Sequence, residues 1–182
     1  YEASENKAVL ENSFKVENGS KIYWLPQELI LFSKSAVSRN TKIEVDNSSE
    51  FLAFDHVILG RKAMGEVLSV SNFIDRWKIY YDNRLVYFDQ FGWKKEVPRG
   101  ISGFKNISSF ASFFYVGKKA EYYLEKLRAY TTSSIKVFAG SSLRNNCLIT
   151  RVHSRDISAV REETKKLLGS IWNLEEPEVW RV

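Results

Sequence analysis

The chain is 182 residues long, 44% hydrophobic and 14% aromatic, which is enough apolar material for a well-filled core and excludes a disordered chain. Its 27 Lys and Arg against 22 Asp and Glu leave a formal charge of +5, but the basic residues are dispersed among acidic neighbours, which argues for a mixed-charge surface over a nucleic-acid face. The single cysteine, Cys147, excludes an intrachain disulfide framework and fits a reducing, cytoplasmic setting, and no apolar run approaches the ~18 residues of a membrane span.

The sequence opens Tyr1-Glu2-Ala3-Ser4 with no initiating Met, which reads as part of a longer or processed protein. Residues 7–17 set Ala8, Leu10, Phe14 and Val16 among polar residues. Asn18-Gly19 follows, a dipeptide suited to a tight hairpin turn, so a first hairpin is expected. On the next strand Ile22, Trp24, Glu28, Ile30 and Phe32 share one side, and Tyr23, Leu25, Gln27, Leu29 and Leu31 share the other. Both sides are apolar, so the strand is sandwiched. Pro26 has no backbone donor and predicts a bulge or kink.

Residues 40–45 form a short strand candidate, and Asp46-Asn47-Ser48-Ser49 is turn chemistry. Residues 51–59 make the next strand. Asp55 interrupts one of its apolar faces and His56 the other, and each needs a partner if buried. The Gly60-Arg61...Gly65-Glu66 segment lacks the Lys-Ser/Thr of a phosphate loop and reads as a turn with a left-handed glycine. Residues 73–81 and 84–91 flank Asp82-Asn83 as the clearest hairpin in the chain. Residues 91–106, with Lys94, Lys95, Arg99 and Lys105 among glycines and a proline, read as a basic exposed loop.

Residues 110–116 resume as strand. Ala120, Tyr123, Leu124, Leu127 and Tyr130 then recur at helical spacing within residues 118–130. Residues 134–139 and 146–153 are strand candidates around a Gly140-Ser141-Ser142 connection. Asp156 caps a final helix over residues 157–172, on which Ile157, Val160, Leu167, Leu168, Ile171 and Trp172 form the apolar stripe. No repeat or linker divides the chain, so residues 1–182 read as a single domain. The fold class is mainly β: stacked antiparallel or mixed sheets with two α-helices.

Catalytic signatures are missing from the sequence: there is no nucleophile elbow, no HExxH and no Cys-His pairing motif, so an enzyme is disfavoured. Asp55 and His56 are adjacent, but strand alternation sends them to opposite faces, which argues against a hydrolase. His56, Cys147 and His153 are too few for a metal motif, and Cys147 and His153 stand six apart on one strand, about 20 Å at strand rise. Glu28, Asp55, His56 and Glu66 remain. Singly each suits a structural bond, with Arg61 the nearest forked partner in sequence; together they could line a polar passage that holds a divalent metal weakly enough to transfer it.

Six stretches in order resemble the urease accessory protein family UreD, also called UreH. They are W-L-P-Q-E-L-I-L-F at residues 24–32, with Trp24, Pro26 and Gln27, and L-G-R-K-A-M-G-E at residues 59–66, with Gly60, Arg61 and Gly65. D-R-W-K-I-Y-Y-D-N-R-L at residues 75–85 carries Trp77 and Arg84; A-G-S-S-L and A-V-R-E follow, and the P-x-x-W-R ending carries Trp180 and Arg181. The resemblance implies a mainly-β scaffold without enzymatic activity, assisting nickel insertion into the urease apoprotein. Implied partners are UreF, the GTPase UreG and urease subunits, with dimeric assembly through UreF, no nucleic acid and no membrane. It also implies Ni2+ as a transient cargo with no tightly bound cofactor, for which the passage read from Glu28, Asp55, His56 and Glu66 would be a route, and a family N-terminal block of strands that precedes the position of Tyr1. An exposed sheet edge or apolar patch, and with it self-association, is expected from that reading. The competing reading is a generic β-rich interaction module binding RNA or an acidic protein.

Overall fold

The structure, a computed structural model, describes residues 7–61, 65–66, 68, 71–97, 107–131 and 137–181. Ten strands and two α-helices appear among them: β1 (Ala8–Val16), β2 (Lys21–Trp24), β3 (Leu29–Leu31), β4 (Ala36–Val45), β5 (Glu50–Leu59), β6 (Asn72–Tyr81), β7 (Arg84–Trp93), β8 (Ser109–Val116), α1 (Ala120–Thr131), β9 (Phe138–Arg144), β10 (Cys147–Ser154) and α2 (Ile157–Trp172). They stack in three layers. A four-stranded sheet, ordered β1-β4-β6-β7, faces a six-stranded sheet, ordered β2-β5-β8-β10-β9 with β3 also on β5. The helices cover the far side of the second sheet, where Leu52, Phe113 and Leu148 pack with Leu124, Val160 and Leu168.

The mainly-β expectation holds, and the sheets are mixed. Strands β1, β4 and β6 run parallel, as do β2 and β3 with β5, while the remaining pairs are antiparallel. The parallel part arises because the chain coils. From β1 it turns at Asn18-Gly19 into β2 of the other sheet, and from β4 it turns at residues 46–49 into β5. Val16 pairs with Val45 and Lys21 with Glu50, each 29 residues further on. The two turns sit on each other through bonds from Asn18 N to Asp46 Oδ2 and from Gly19 N to Ser48 Oγ, both 2.9 Å.

This corrects the expected first hairpin. Asn18 and Gly19 do adopt positive φ, 62° and 71°, but the turn carries the chain from one sheet to the other. The single strand expected across residues 22–32 is also two strands. Trp24 pairs with Ala53 at an offset of 29, while Leu29 pairs with Val57 at 28. One residue is therefore extra in the gap around Pro26, as the missing amide requires. The slip inverts the alternation, so Ile22 and Trp24 face the space between the sheets, and so do Leu29 and Leu31, leaving Ile30 outside.

Two apolar clusters fill the space between the sheets. One gathers Ile43, Phe51, Trp77, Phe114 and Ile149, and the other Leu31, Val57, Phe73 and Trp93. The β6–β7 hairpin forms as expected, with Asp82 and Asn83 at φ 50° and 61°. Gly140, Ser141 and Ser142 do not connect two strands; they lie inside β9, and the turn falls at Asn145-Asn146, both at positive φ. Alternation cannot locate that turn because β9 is an edge strand with exposed side chains, while two consecutive asparagines supply the backbone it needs. Helix α2 begins as expected, with Asp156 Oδ1 accepting from Ser158 N at 2.9 Å. It ends at Asn173 in left-handed geometry, whose N–H bonds Gly169 O while Leu174 N bonds Leu168 O. No helix among the described residues is long and apolar enough to cross a membrane. The expected basic loop lies partly outside the described residues, as do residues 134–136.

Candidate functional site

Strand β5 places the two ionisable residues singled out from sequence on opposite sides of the central sheet. Phe51, Ala53, Asp55 and Val57 point toward the four-stranded sheet, while Leu52, Phe54 and His56 point toward the helices. Asp55 is 4% exposed and its partner is Arg39 of β4. Arg39 Nη1 and Nη2 donate to Asp55 Oδ1 and Oδ2 at 2.6 Å each. The same guanidinium also reaches Asp75 of β6, through Nε to Oδ1 at 2.9 Å and Nη2 to Oδ2 at 2.6 Å. Trp77 Nε1 donates to Asp75 Oδ2 at 2.9 Å, and its ring stacks on Phe114 with centroids 4.3 Å apart.

Two carboxyl groups thus share one guanidinium between the two apolar clusters. Burial opposes the charge on Arg39, yet Asp55 and Asp75 together hold its pKa above the ordinary value. Burial also pushes the Asp55 carboxyl up, against the pull of Arg39. Sequence reading missed Arg39 because it began the strand at residue 40. Started at Ala36, the strand puts Arg39 in phase with Thr41, Ile43 and Val45, all buried, and a cation on a buried face requires a carboxylate opposite.

A cavity of about 200 Å³ opens beside this cluster between the sheets, lined by Asp75, Trp77, Asp89, Phe110, Arg151 and His153 among others. At about 30 Å³ per water it has room for on the order of six. Arg151 of β10 pairs with Asp89 of β7 and donates to Tyr87 Oη at 3.1 Å, spanning the gap between the sheets. Burial lowers the pKa of His153, whose ring stacks on Phe138.

On the helix side His56 is 1% exposed, and its Nδ1 lies 3.8 Å from Glu28 Oε1. Arg161 of α2 pairs with the same carboxylate. His56 first, and Arg161 with it, hold the Glu28 carboxyl down at about 2, against the upward push of burial. The structure therefore brings together Glu28 and His56. Asp55 lies on the other face of β5, and Glu66 accepts from Ser33 N at 2.8 Å and Arg61 Nε at 2.7 Å. Arg61, named from sequence as a forked partner, meets Glu66 through Nε; the forked bond belongs to Arg39. Among the described residues no group of three or more His, Cys, Asp or Glu side chains could hold a metal ion. Cys147 and His153 pair with Val116 and Phe110 at the two ends of β8.

The motif residues have local structural work. Gly60 and Gly65 both adopt left-handed backbone, at φ 83° and 71°, and Gly60 N bonds Leu31 O at 2.7 Å. Trp24 packs against Trp77, Arg84 opens β7 on the surface, and Arg181 ends the turn Glu178–Trp180. Gln27 Nε2 donates to Val179 O at 2.7 Å, and Trp180 Nε1 to Pro26 O at 2.9 Å, so the first and last motifs touch.

The UreD urease accessory protein family matches residues 1–181 of the chain. A urease accessory protein UreD from Rhizobium leguminosarum bv. trifolii is 32% identical over 188 residues, covering 100% of this chain and 67% of the relative. The UreD protein of Agrobacterium fabrum is 33% identical over 189 residues, covering 100% of this chain and 64% of the relative. That of Xanthobacter autotrophicus is 30% identical over 171 residues, covering 90% and 57%. The chain thus spans about two thirds or less of the length of these curated relatives. With ordered motifs, touching ends and a match along residues 1–181, the chain belongs to the UreD urease accessory protein family.

Proposed function

We propose that the chain is a non-enzymatic scaffold and metallochaperone of urease maturation, working in the cytoplasm with UreF, UreG and the urease apoprotein to deliver Ni2+. The observation that carries this reading is the family match over residues 1–181. The interior chemistry supports it. A carboxylate and an imidazole stand side by side behind α2, Glu28 with His56, and a second imidazole, His153, lines the cavity between the sheets. Oxygen and nitrogen donors in small number hold a divalent first-row ion weakly, which suits passage over storage.

Of the four residues proposed from sequence, Glu28 and His56 remain the better candidates for the route. Asp55 has both oxygens taken by Arg39, and Glu66 is bonded to Ser33 and Arg61. A cation would reach either only by displacing a charge-assisted bond; Glu28 is itself paired with Arg161, and what sets it apart is the His56 imidazole beside it.

The test is affinity capture of the tagged full-length protein from cells expressing a urease operon, with nickel content and activity of urease as readout. Capture of UreF and urease subunits, and loss of nickel loading when the protein is deleted, is the expected result. Capture of RNA in place of these partners, released steeply by salt, would establish the interaction-module reading instead.

A further inference from the structure

We propose that the cavity between the two sheets is a binding site for a small free primary amine in its protonated form, held by aromatic walls and a surplus of carboxylate charge. Such binding is independent of the metallochaperone reading.

The first observation is the charge balance. Asp55 and Asp75 share the single guanidinium of Arg39, and all three are buried. At the cavity wall Asp75 and Asp89 stand against Arg151 alone among the described residues. On either count one carboxylate is in excess. A buried charge without a counter-charge is costly, so the cavity favours a cation and repels an anion. Among the described residues no group of three or more His, Cys, Asp or Glu side chains could hold a metal ion, which leaves an organic cation.

The second observation is the wall. Trp77, Phe91, Phe110 and Phe114 line the cavity, and Phe91 meets Phe110 edge to face at 5.4 Å. Aromatic faces attract cations, and this set already holds one, with the Arg39 guanidinium carbon 5.7 Å from the centroid of Trp77. A cavity of about 200 Å³ admits a short alkyl chain with a charged head. Arg151 and Asp89, both partly exposed, bring its rim to solvent.

The third observation is a pair of unused acceptors. Ser112 stands in register between Asp55 and Arg151, and its hydroxyl makes no hydrogen bond among the described residues. The His153 ring stacks on Phe138, and its nitrogens make none either. Burial lowers the pKa of His153, so the ring is neutral near pH 7 and offers one nitrogen as acceptor. Acceptors left open beside a carboxylate select an ammonium that carries N–H donors over a quaternary one.

The test is calorimetric titration of the full-length protein with butylammonium chloride at constant ionic strength, at about pH 7.5, where an alkylamine is protonated. One equivalent should bind saturably. Butanol, which keeps the chain without the charge, and tetramethylammonium, which keeps the charge without the donors, should each bind about tenfold or more weakly; butyrate should not bind. Asp75→Asn, which leaves Arg39 paired with Asp55, and His153→Phe, which keeps the stacked ring without the acceptor, should each weaken butylammonium by about tenfold. Ser112→Leu, which fills the cavity, should abolish binding, with thermal midpoints confirming that each variant is folded. No saturable binding would overturn the proposal and leave a proton on Asp55, whose carboxyl burial pushes up, as the neutralising charge. Equal affinity for butanol would overturn it in favour of an apolar void, and unchanged affinity in His153→Phe and Ser112→Leu would place the amine elsewhere and overturn it as well. A blocked Gly-Lys-Gly peptide carries the same group on a chain; binding as tight as that of butylammonium would make a protein lysine the occupant and overturn the free amine.

Discussion

Arg39 of the four-stranded sheet grips both carboxylate oxygens of Asp55 of the six-stranded sheet, at 2.6 Å on each side. The pair is a buried bolt between the two layers, whose other polar link described above is Arg151 with Asp89 and Tyr87. Arg39→Met leaves Asp55 and Asp75 buried with no cation, and should cost about 3 to 5 kcal/mol. Asp55→Asn keeps the shape and loses the charge-assisted bonds, and should cost less, about 1 to 3 kcal/mol. Urea unfolding of both variants checks the order. In cells, the Asp55→Asn variant should activate urease in proportion to its abundance; a slower nickel delivery at normal abundance would return Asp55 to the cation route.

Acid should act through Glu28. Its carboxyl sits at about 2 in the folded protein against an ordinary value of 4.5. A depressed pKa contributes stability that is present above the unfolded value and lost as pH falls toward the folded one. The stability difference between the parent and Glu28→Gln should therefore be full above about pH 5 and shrink between about 4.5 and 2. Denaturation midpoints across that range test it.

Gly92 admits no side chain. Its φ is 154°, and an added Cβ would meet Phe73 O of the paired strand at 2.0 Å. That oxygen is backbone and cannot step aside without breaking the β6–β7 ladder. Gly92→Ala should cost several kcal/mol and lower the yield of folded protein, whereas Gly140→Ala, with open space around it, should be nearly neutral. Thermal midpoints of the two variants give the comparison.

Cys147 is fully buried, and burial pushes its thiol up to about 12. The thiolate is the reactive form, so labelling at neutral pH should be slow and should follow unfolding. A thiol reagent that titrates Cys147 at its free-thiol rate in the native protein would contradict its burial in the apolar cluster between the sheets.

Much of this architecture was legible from local patterns. The alternation along residues 51–59, the Asp82-Asn83 turn and the Asp156 cap each depend on side chains a few positions apart, and each element formed where the pattern put it. The coil was not legible. Asn18-Gly19 supplies left-handed backbone equally well to a hairpin and to a crossing between sheets, and the choice depends on β4 and β5, which follow later. The site was legible as a list of residues but not as pairs. Glu28 and His56 were singled out separately and meet because Pro26 adds a residue to the strand; Arg39 was lost because the strand was started at residue 40, four positions after its first residue, Ala36.

The stacked turns at Asn18 and Asp46 also constrain how this protein can evolve. With one offset of 29 residues shared by both sheets, an insertion or deletion confined to one turn would slide one strand against its neighbour and send inward side chains outward. Length changes at these turns are therefore tolerated in matched pairs, one per rung, or in the gap around Pro26, where the change from 29 to 28 shows that the fold has already absorbed a single unmatched residue.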